Sequence, residues 1–269
     1  MYDGSTSRLN LMNACYALGA VLFPLLVGFT TQSGISWKVP AGIVAGLGFV
    51  LIALGCFIRL PEEDTAAVSS GKDRTSKDGG AFLKEISFYL CFATLFIYVG
   101  TETAASSWLS SYLSQYNTFF AENVPSETMV SLMWGMLLVG RVLFAAFGAK
   151  IDRRILLVAL STGFLVGLLG VTLLASSTPL AILSVVVLGL SMSAMYATGI
   201  SNASRYVTGS PIAAGIIFGA GGVGSSLLPL IAGLFSDAIS LKAGMLSLCA
   251  FLVLLVLTAL VNLRTARKG

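Results

Sequence analysis

Apolar residues run along this chain in long uninterrupted blocks instead of the short alternations of a water-soluble fold. No Asp, Glu, Lys or Arg occurs from Leu9 to Trp37, Val39 to Ile58, Ile155 to Ser204, Val207 to Ser236 or Ala243 to Leu263. Charge-free windows of about 18 residues or more read as membrane-spanning helices. The blocks and the polar turns between them predict eight spans. The first runs from Leu9 to Thr30 and the second, after the turn Gln32 to Trp37, from Val39 to Ile58. The third runs from Phe82 through Glu102 to Tyr112, and the fourth from Thr128 to Gly148. The charge-free stretch Ile155 to Ser204 is too long for one helix, and the turn Ser176 to Pro179 splits it into spans five and six. Spans seven and eight cover Pro211 to Phe235 and Leu241 to Leu263. The predicted fold class is an all-α integral membrane protein.

Composition agrees with this reading and narrows the chemistry. The 269 residues include 16 basic and 12 acidic side chains, 56% are apolar, and mean hydropathy is +0.91. A soluble domain carries about a quarter charged residues. There is no histidine, which removes Ser-His-Asp and Cys-His nucleophiles, imidazole proton relays and His-built zinc sites. Cys15, Cys56, Cys91 and Cys249 stand singly in apolar windows without C-x-x-C spacing, so they read as small buried hydrophobes. No metal and no cofactor is expected. A membrane enzyme is the weakest class, since no paired acids or metal cluster lies in a loop.

The basic residues orient the chain. With the N-terminus in the cytoplasm, 13 of them, from Arg8 and Arg59 to Arg267 and Lys268, fall on inner segments, and only Lys38 and Lys242 fall outside. This asymmetry predicts both termini cytoplasmic in a multi-pass cell-membrane protein, and it accounts for the net charge of +4 without nucleic acid. Residues 61–81, rich in Ser, Gly and mixed charge, read as a cytoplasmic central linker between helices at 1–60 and a bundle at 82–269.

Spans one and seven share a pattern. Gly19, Pro24 and Gly28 recur as Gly224, Pro229 and Gly233 at an offset of 205, and Arg59 recurs as Arg264 at the same offset. Ile35 and Lys38 recur as Ile239 and Lys242 at 204. Coincidences at one offset signal duplication. Spans three to eight would then be one six-helix repeat, preceded by the last two helices of its sister. That arithmetic predicts a parent protein of roughly 390 to 400 residues built from two parallel six-helix repeats, its first four helices missing here.

Polarity is concentrated in spans three, four, six and seven, as expected for helices lining a cavity, while spans two, five and eight are featureless and read as lipid-facing supports. Glu102 lies near the middle of span three. An ionised carboxylate there costs about 2.5–3.5 kcal/mol on the insertion scale for a central Asp, so it persists only when paired, hydrated or protonated part of the time. A proton carrier and a structural helix-helix hydrogen bond are the two readings. Tyr98 and Ser106, four residues to either side, share its face. Arg141 precedes Asp152 by eleven residues, about 16 Å along a helix, and is the natural partner for Glu102 or for a polar substrate. A structural ion pair is the alternative. Gly148, Asp152 and Arg153 form a charged turn after span four that either gates two helices or anchors the inner face.

In span seven, Gly215, Gly219, Gly222, Ser226, Pro229 and Gly233 fall on one helical face and predict close helix packing with a bend at the proline. The literal G-x-G-x-x-G from Gly219 to Gly224 follows no strand and is not a dinucleotide site. Tyr196 and Thr198 of span six are polar groups for a cavity. Asn202 and Ser204 spell a glycosylation sequon on the cytoplasmic side, where it has no role.

These residues resemble the major facilitator superfamily, and within it the fucose-permease-like sugar:proton symporters, over nearly the whole chain. Span three is similar to that group's seventh helix, with Tyr98, Gly100, Glu102 and Trp108 in place. Gly140, Arg141, Gly148, Asp152 and Arg153 resemble the loop motif between helices eight and nine, without its trailing Gly-Arg-Arg. Span six resembles the tenth helix, with Ala197 where proline is common, and span one the fifth, with Asn13 where relatives often have histidine. The resemblance implies a major-facilitator-type helix bundle lacking its first four helices. It implies a secondary active transporter importing a small sugar-like solute with protons by alternating access, with Glu102, Arg141, Tyr98, Trp108, Tyr196 and Asn13 along the substrate and proton pathway. Drug or metabolite efflux, and a non-transporting fragment that packs on a full-length partner, are the alternatives.

Overall fold

The computed structural model describes the backbone of residues 3–57, 81–147 and 151–265, with side chains from Leu18 onward except at 57, 81, 145–147, 209 and 265. The helices are α1 (Asp3–Gln32), α2 (Lys38–Phe57), α3 (Ile86–Tyr116), α4 (Thr118–Glu122), α5 (Glu127–Phe147) and α6 (Arg153–Leu174). They continue as α7 (Thr178–Met192), α8 (Met195–Asn202), α9 (Ser204–Gly209), α10 (Pro211–Ala238) and α11 (Leu241–Thr265). A 3-10 turn, Ala81–Lys84, leads into α3, and no strand occurs among the described residues. The rest of the expected linker lies outside the described residues. Among the described residues seven helices are long and apolar enough to cross a membrane, α7 and α8 counting together as one, and α1 adds the shorter apolar stretch Leu18–Gln32.

The helix ends fall where sequence chemistry puts them. Gly34, the only residue with positive φ among those described, turns the chain between α1 and α2 at φ 70°, a conformation that costs glycine nothing. The Asp152 carboxylate caps α6 by accepting from Arg154 N at 2.8 Å and Ile155 N at 3.4 Å. Ser177 and Pro179 open α7 and Ser210 and Pro211 open α10, since proline in the first turn removes no needed donor. Asn117 closes the α3–α4 corner: its oxygen accepts from Phe119 N, and its amide donates to Ala175 O at 2.7 Å at the far end of α6.

Among the described side chains the buried hydrophobic core lies between residues 82 and 259, and those of α1 and α2 add nothing to it. α3 is the central post. It packs along α10 over the longest contact, and also against α11, α8 and α5. α1 packs on α5, and the main contact of α2 is with α1. The featureless helices α6 and α11 are not confined to a lipid-facing role: Phe164, Leu168, Leu252 and Leu255 reach the core, so each has one buried face. Uniform apolarity hides which face that is.

The α3–α10 contact corrects the expected packing face. A Cβ on Gly215, Gly219 or Gly222 would meet no atom within 4 Å, so these three glycines are not at the interface. Instead a Cβ on Gly100 would lie 2.6 Å from Gly224 O, and one on Gly224 would collide with Phe96 O. Gly221 lies against Val99, and a Cβ on Gly233 would lie 3.4 Å from the Trp108 ring, while Pro229 is half-buried. The buried face of α10 is Ala213, Ile217, Ala220, Gly221, Gly224, Leu228 and Ala232. It contains the large side chains Ile217 and Leu228, and burying these outweighs burying a stripe of glycine with little area to hide.

Candidate functional site

Near the middle of α3, Tyr98 and Glu102 stand one turn apart on the same face. The Tyr98 hydroxyl donates to Glu102 Oε1 at 2.9 Å, and it also lies 3.1 Å from the Met192 carbonyl oxygen. Tyr98 is 1% exposed, its ring edge-on to Phe164 at 6.2 Å, and Glu102 is partly buried. The carboxylate therefore has one hydroxyl partner inside an apolar bundle.

Met192 ends α7, and the sixth span breaks there. Ser193 N–H turns back to Leu190 O at 3.3 Å, and the helical ladder resumes with Thr198 N–H to Ala194 O at 2.9 Å. Ser193 Oγ donates to Leu190 O at 2.6 Å, so a side chain competes with the backbone for the carbonyls of the last turn. The break presses on α5, because a Cβ at Gly140 would meet Ser193 Cβ at 2.6 Å. No proline is needed. The signal missed in the sequence is the pair Ser191 and Ser193 next to Gly189, in a window otherwise long enough for one continuous helix.

Arg141 follows Gly140 and lines a cavity of about 340 Å³ with Phe144, Arg153, Ser193, Thr198 and Ser201 among its walls. Two guanidinium groups and three hydroxyl-bearing residues thus face one space at the end of the bundle where the basic loops lie. Arg141 and Glu102 do not form an ion pair. Among the described residues the one ion pair joins Arg205 and Glu85, and Arg141 acts on the Glu102 carboxylate only through space. Tyr98 holds the carboxylate on α3, and the long Arg141 side chain turns into the cavity instead.

The other expected residues divide. Thr198 lines the cavity, whereas Tyr196, two positions and so about half a turn away, is 43% exposed and does not. Trp108 packs on Gly233 and stays outside both cavities. The Asn13 side chain and Gly148 lie outside the described residues. Asp152 works as the α6 cap, and its backbone bond from Arg154 N–H holds the carboxyl below the usual range. Arg153 reaches across to Ser201 O and Oγ, both at 3.4 Å, and so links α6 to α8.

Two polar clusters were not anticipated. Ser126 bonds Ser110 at 2.7 Å and Ser114 at 2.6 Å beside a second cavity of about 240 Å³, where Gly28 of α1 meets Pro125 before α5. At the opposite end, Arg205 and Tyr206 converge on Glu85 Oε2 at 2.6 and 2.7 Å, with the guanidinium over the Tyr206 ring at 4.5 Å. Their sequence separation of 120 residues leaves no local signal.

Comparison with known proteins follows the same lines. A family model described as Major Facilitator Superfamily matches residues 5–209. A glucose/galactose transporter of Brucella abortus is 28% identical over 261 residues, covering 91% of this chain and 60% of that protein. The glucose/mannose transporter GlcP of Bacillus subtilis is 26% identical over 160 residues, covering 56% and 38%. A sodium-dependent glucose transporter 1 of Xenopus laevis is 25% identical over 232 residues, covering 77% and 46%. The chain thus spans 38 to 60% of the length of these relatives.

Proposed function

This chain belongs to the Major Facilitator Superfamily, and we propose that the intact transporter carries a sugar-like solute inward together with protons by alternating access. The substrate class is supported by relatives named for glucose, galactose and mannose. In this reading residues 82–269 move as one bundle against the helices of residues 1–60, and the linker at 61–81 joins them. A core confined to residues 82–259 supports that division. The cell-membrane location with both termini cytoplasmic rests on the distribution of basic residues.

The observation that carries the coupling is Glu102. It is a carboxylate within a membrane-spanning helix, hydrogen-bonded to Tyr98 and influenced by Arg141 at a distance, without the fixed ion pair that would tie up its charge. Such a group gains and loses a proton as its surroundings change. Arg141, Thr198 and Ser201 present donors suited to hydroxyl groups, so they are the residues for the solute.

The test is uptake of radiolabelled glucose or galactose by the intact protein in proteoliposomes. Glu102→Gln is expected to abolish accumulation driven by an inward proton gradient while leaving exchange at equal pH intact. Unchanged accumulation would sink the role. Sodium is the rival ion, because one relative is named as sodium-dependent. Accumulation driven by a sodium gradient at equal pH would replace the proton reading.

A further inference from the structure

We infer that the Tyr98 hydroxyl is a one-hydrogen relay that ties the protonation of Glu102 to the helix break at Met192, holding the break in one protonation state and releasing it in the other. The inference rests on the proposal that Glu102 carries the proton, and it adds where that proton is felt.

The argument is a count of hydrogens. The Tyr98 oxygen lies 2.9 Å from Glu102 Oε1 and 3.1 Å from Met192 O, both within reach of its single hydrogen. A carbonyl oxygen accepts only, an ionised carboxylate accepts only, and a protonated carboxyl carries one hydrogen to donate. When Glu102 is ionised, two acceptors compete for one hydrogen. The carboxylate wins, because a hydrogen bond to a charged acceptor is about twice as strong as a neutral one. The Met192 carbonyl then gives up this donor. When Glu102 is protonated, its own O–H donates to the Tyr98 oxygen, and the Tyr98 hydrogen swings to Met192 O. Both contacts are then satisfied in series. One proton enters, onto Glu102, and the tyrosine keeps its hydrogen throughout.

The surroundings make this exchange matter. Met192 and Tyr98 are 0% and 1% exposed, so bulk water does not take over the role of donor. Met192 stands where the ladder of α7 stops, so its carbonyl lies at the junction on which α8 pivots. Ser193 and Thr198, on either side of that junction, line the cavity of Arg141. A change at Met192 O is therefore transmitted to the walls of the space assigned to the solute.

The charged and titratable groups on α3 and the elements packed against it are Tyr89, Cys91, Tyr112 and Tyr116 on α3 itself, Lys84 and Glu85 before it, Glu122 on α4, Glu127 and Arg141 on α5, Arg153 and Arg154 on α6, Tyr196 on α8, Arg205 and Tyr206 on α9, Asp237 on α10, and Lys242, Cys249 and Arg264 on α11. Arg141 is the one whose charge reaches Glu102.

Backbone hydrogen exchange of the full chain in detergent, read on a peptide covering Met192 to Thr198 and corrected for the intrinsic pH dependence of exchange, tests the relay. The wild-type segment is expected to exchange about five- to tenfold more slowly at about pH 5.5 than at about pH 8.5. Tyr98→Phe should exchange at the fast rate at both pH values. Glu102→Gln, whose amide can donate to the Tyr98 oxygen, should exchange at the slow rate at both. A wild-type segment with no pH difference, or a difference that persists in Tyr98→Phe, overturns the relay. Should Tyr98→Phe not fold, a difference that persists in Glu102→Gln overturns it instead. Uptake by Glu102→Gln judges the carrier role separately, so a failed relay with proton-driven uptake abolished leaves the proposed function standing.

Discussion

Among the described residues a tyrosine hydroxyl meets a glutamate carboxylate at two places. Tyr98 and Glu102 meet at 2.9 Å in the middle of a membrane-spanning helix, and Tyr206 and Glu85 meet at 2.7 Å at the end where the basic loops gather. The second pair has a guanidinium in direct contact, and its ions are open to solvent, with Arg205 60% and Glu85 45% exposed. The first pair has its guanidinium, Arg141, only at a distance. The same two side chains thus serve different ends. In the exposed cluster the charge is fixed by Arg205, and the pair clasps the start of α3 to α9. The buried pair has no cation in contact among the described residues, and in the proposed function that leaves Glu102 to exchange a proton.

The comparison predicts unequal costs for the same substitution. Glu102→Lys puts an unpaired ammonium into the apolar bundle interior and is expected to cost about 3 kcal/mol or more, enough to lose most folded protein. Glu85→Lys breaks an exposed pair and should cost about 1 kcal/mol or less. Melting temperature and folded yield in detergent measure both, and equal losses would erase the distinction.

A smaller effect separates the two by pH. Burial, with the Glu85 carboxylate accepting its hydrogen, pushes Tyr206 up to about 12. A raised folded value means that stability is intact below the ordinary tyrosine value of 10.0 and is lost as pH climbs toward about 12. The difference in melting temperature between wild type and Tyr206→Phe should therefore stay constant from about pH 6 to about pH 9, with wild type falling only above that range. Drift below about pH 9 would mean that the exposed cluster also titrates in the working range. The smallest effect is that of salt. Raising ionic strength to about 0.5 M should shrink the loss in Glu85→Gln by a few tenths of a kcal/mol and leave that of Glu102→Gln unchanged.

Much of this architecture was legible along the chain. The turn at Gly34, the split before Pro179 and the start of α10 at Pro211 all stand where charge-free windows meet turn residues. Tyr98 beside Glu102 was legible too, because positions four apart in a helix share a face whatever surrounds them. The glycines of α10 were not. Gly215, Gly219 and Gly222 make the more regular stripe, yet Gly224 is the one wedged against Phe96, because helix rotation is decided by the neighbour's shape. The break at Ser193 was equally hidden, since the close approach of Ser193 to Gly140 of α5 is a contact that only packing makes.

Sequence alone determined that the chain is a membrane helix bundle, where its helices turn, and that two charges, Glu102 and Arg141, lie within its membrane-spanning helices. Those properties depend on transfer from water and on local helical geometry, both of which act residue by residue. Tertiary structure decided that the two charges stay apart, that Tyr98 stands between Glu102 and Met192, and that Arg205 closes on Glu85 across 120 residues. Contacts of that kind follow from how helices rotate and approach once packed, and no single helix contains the information.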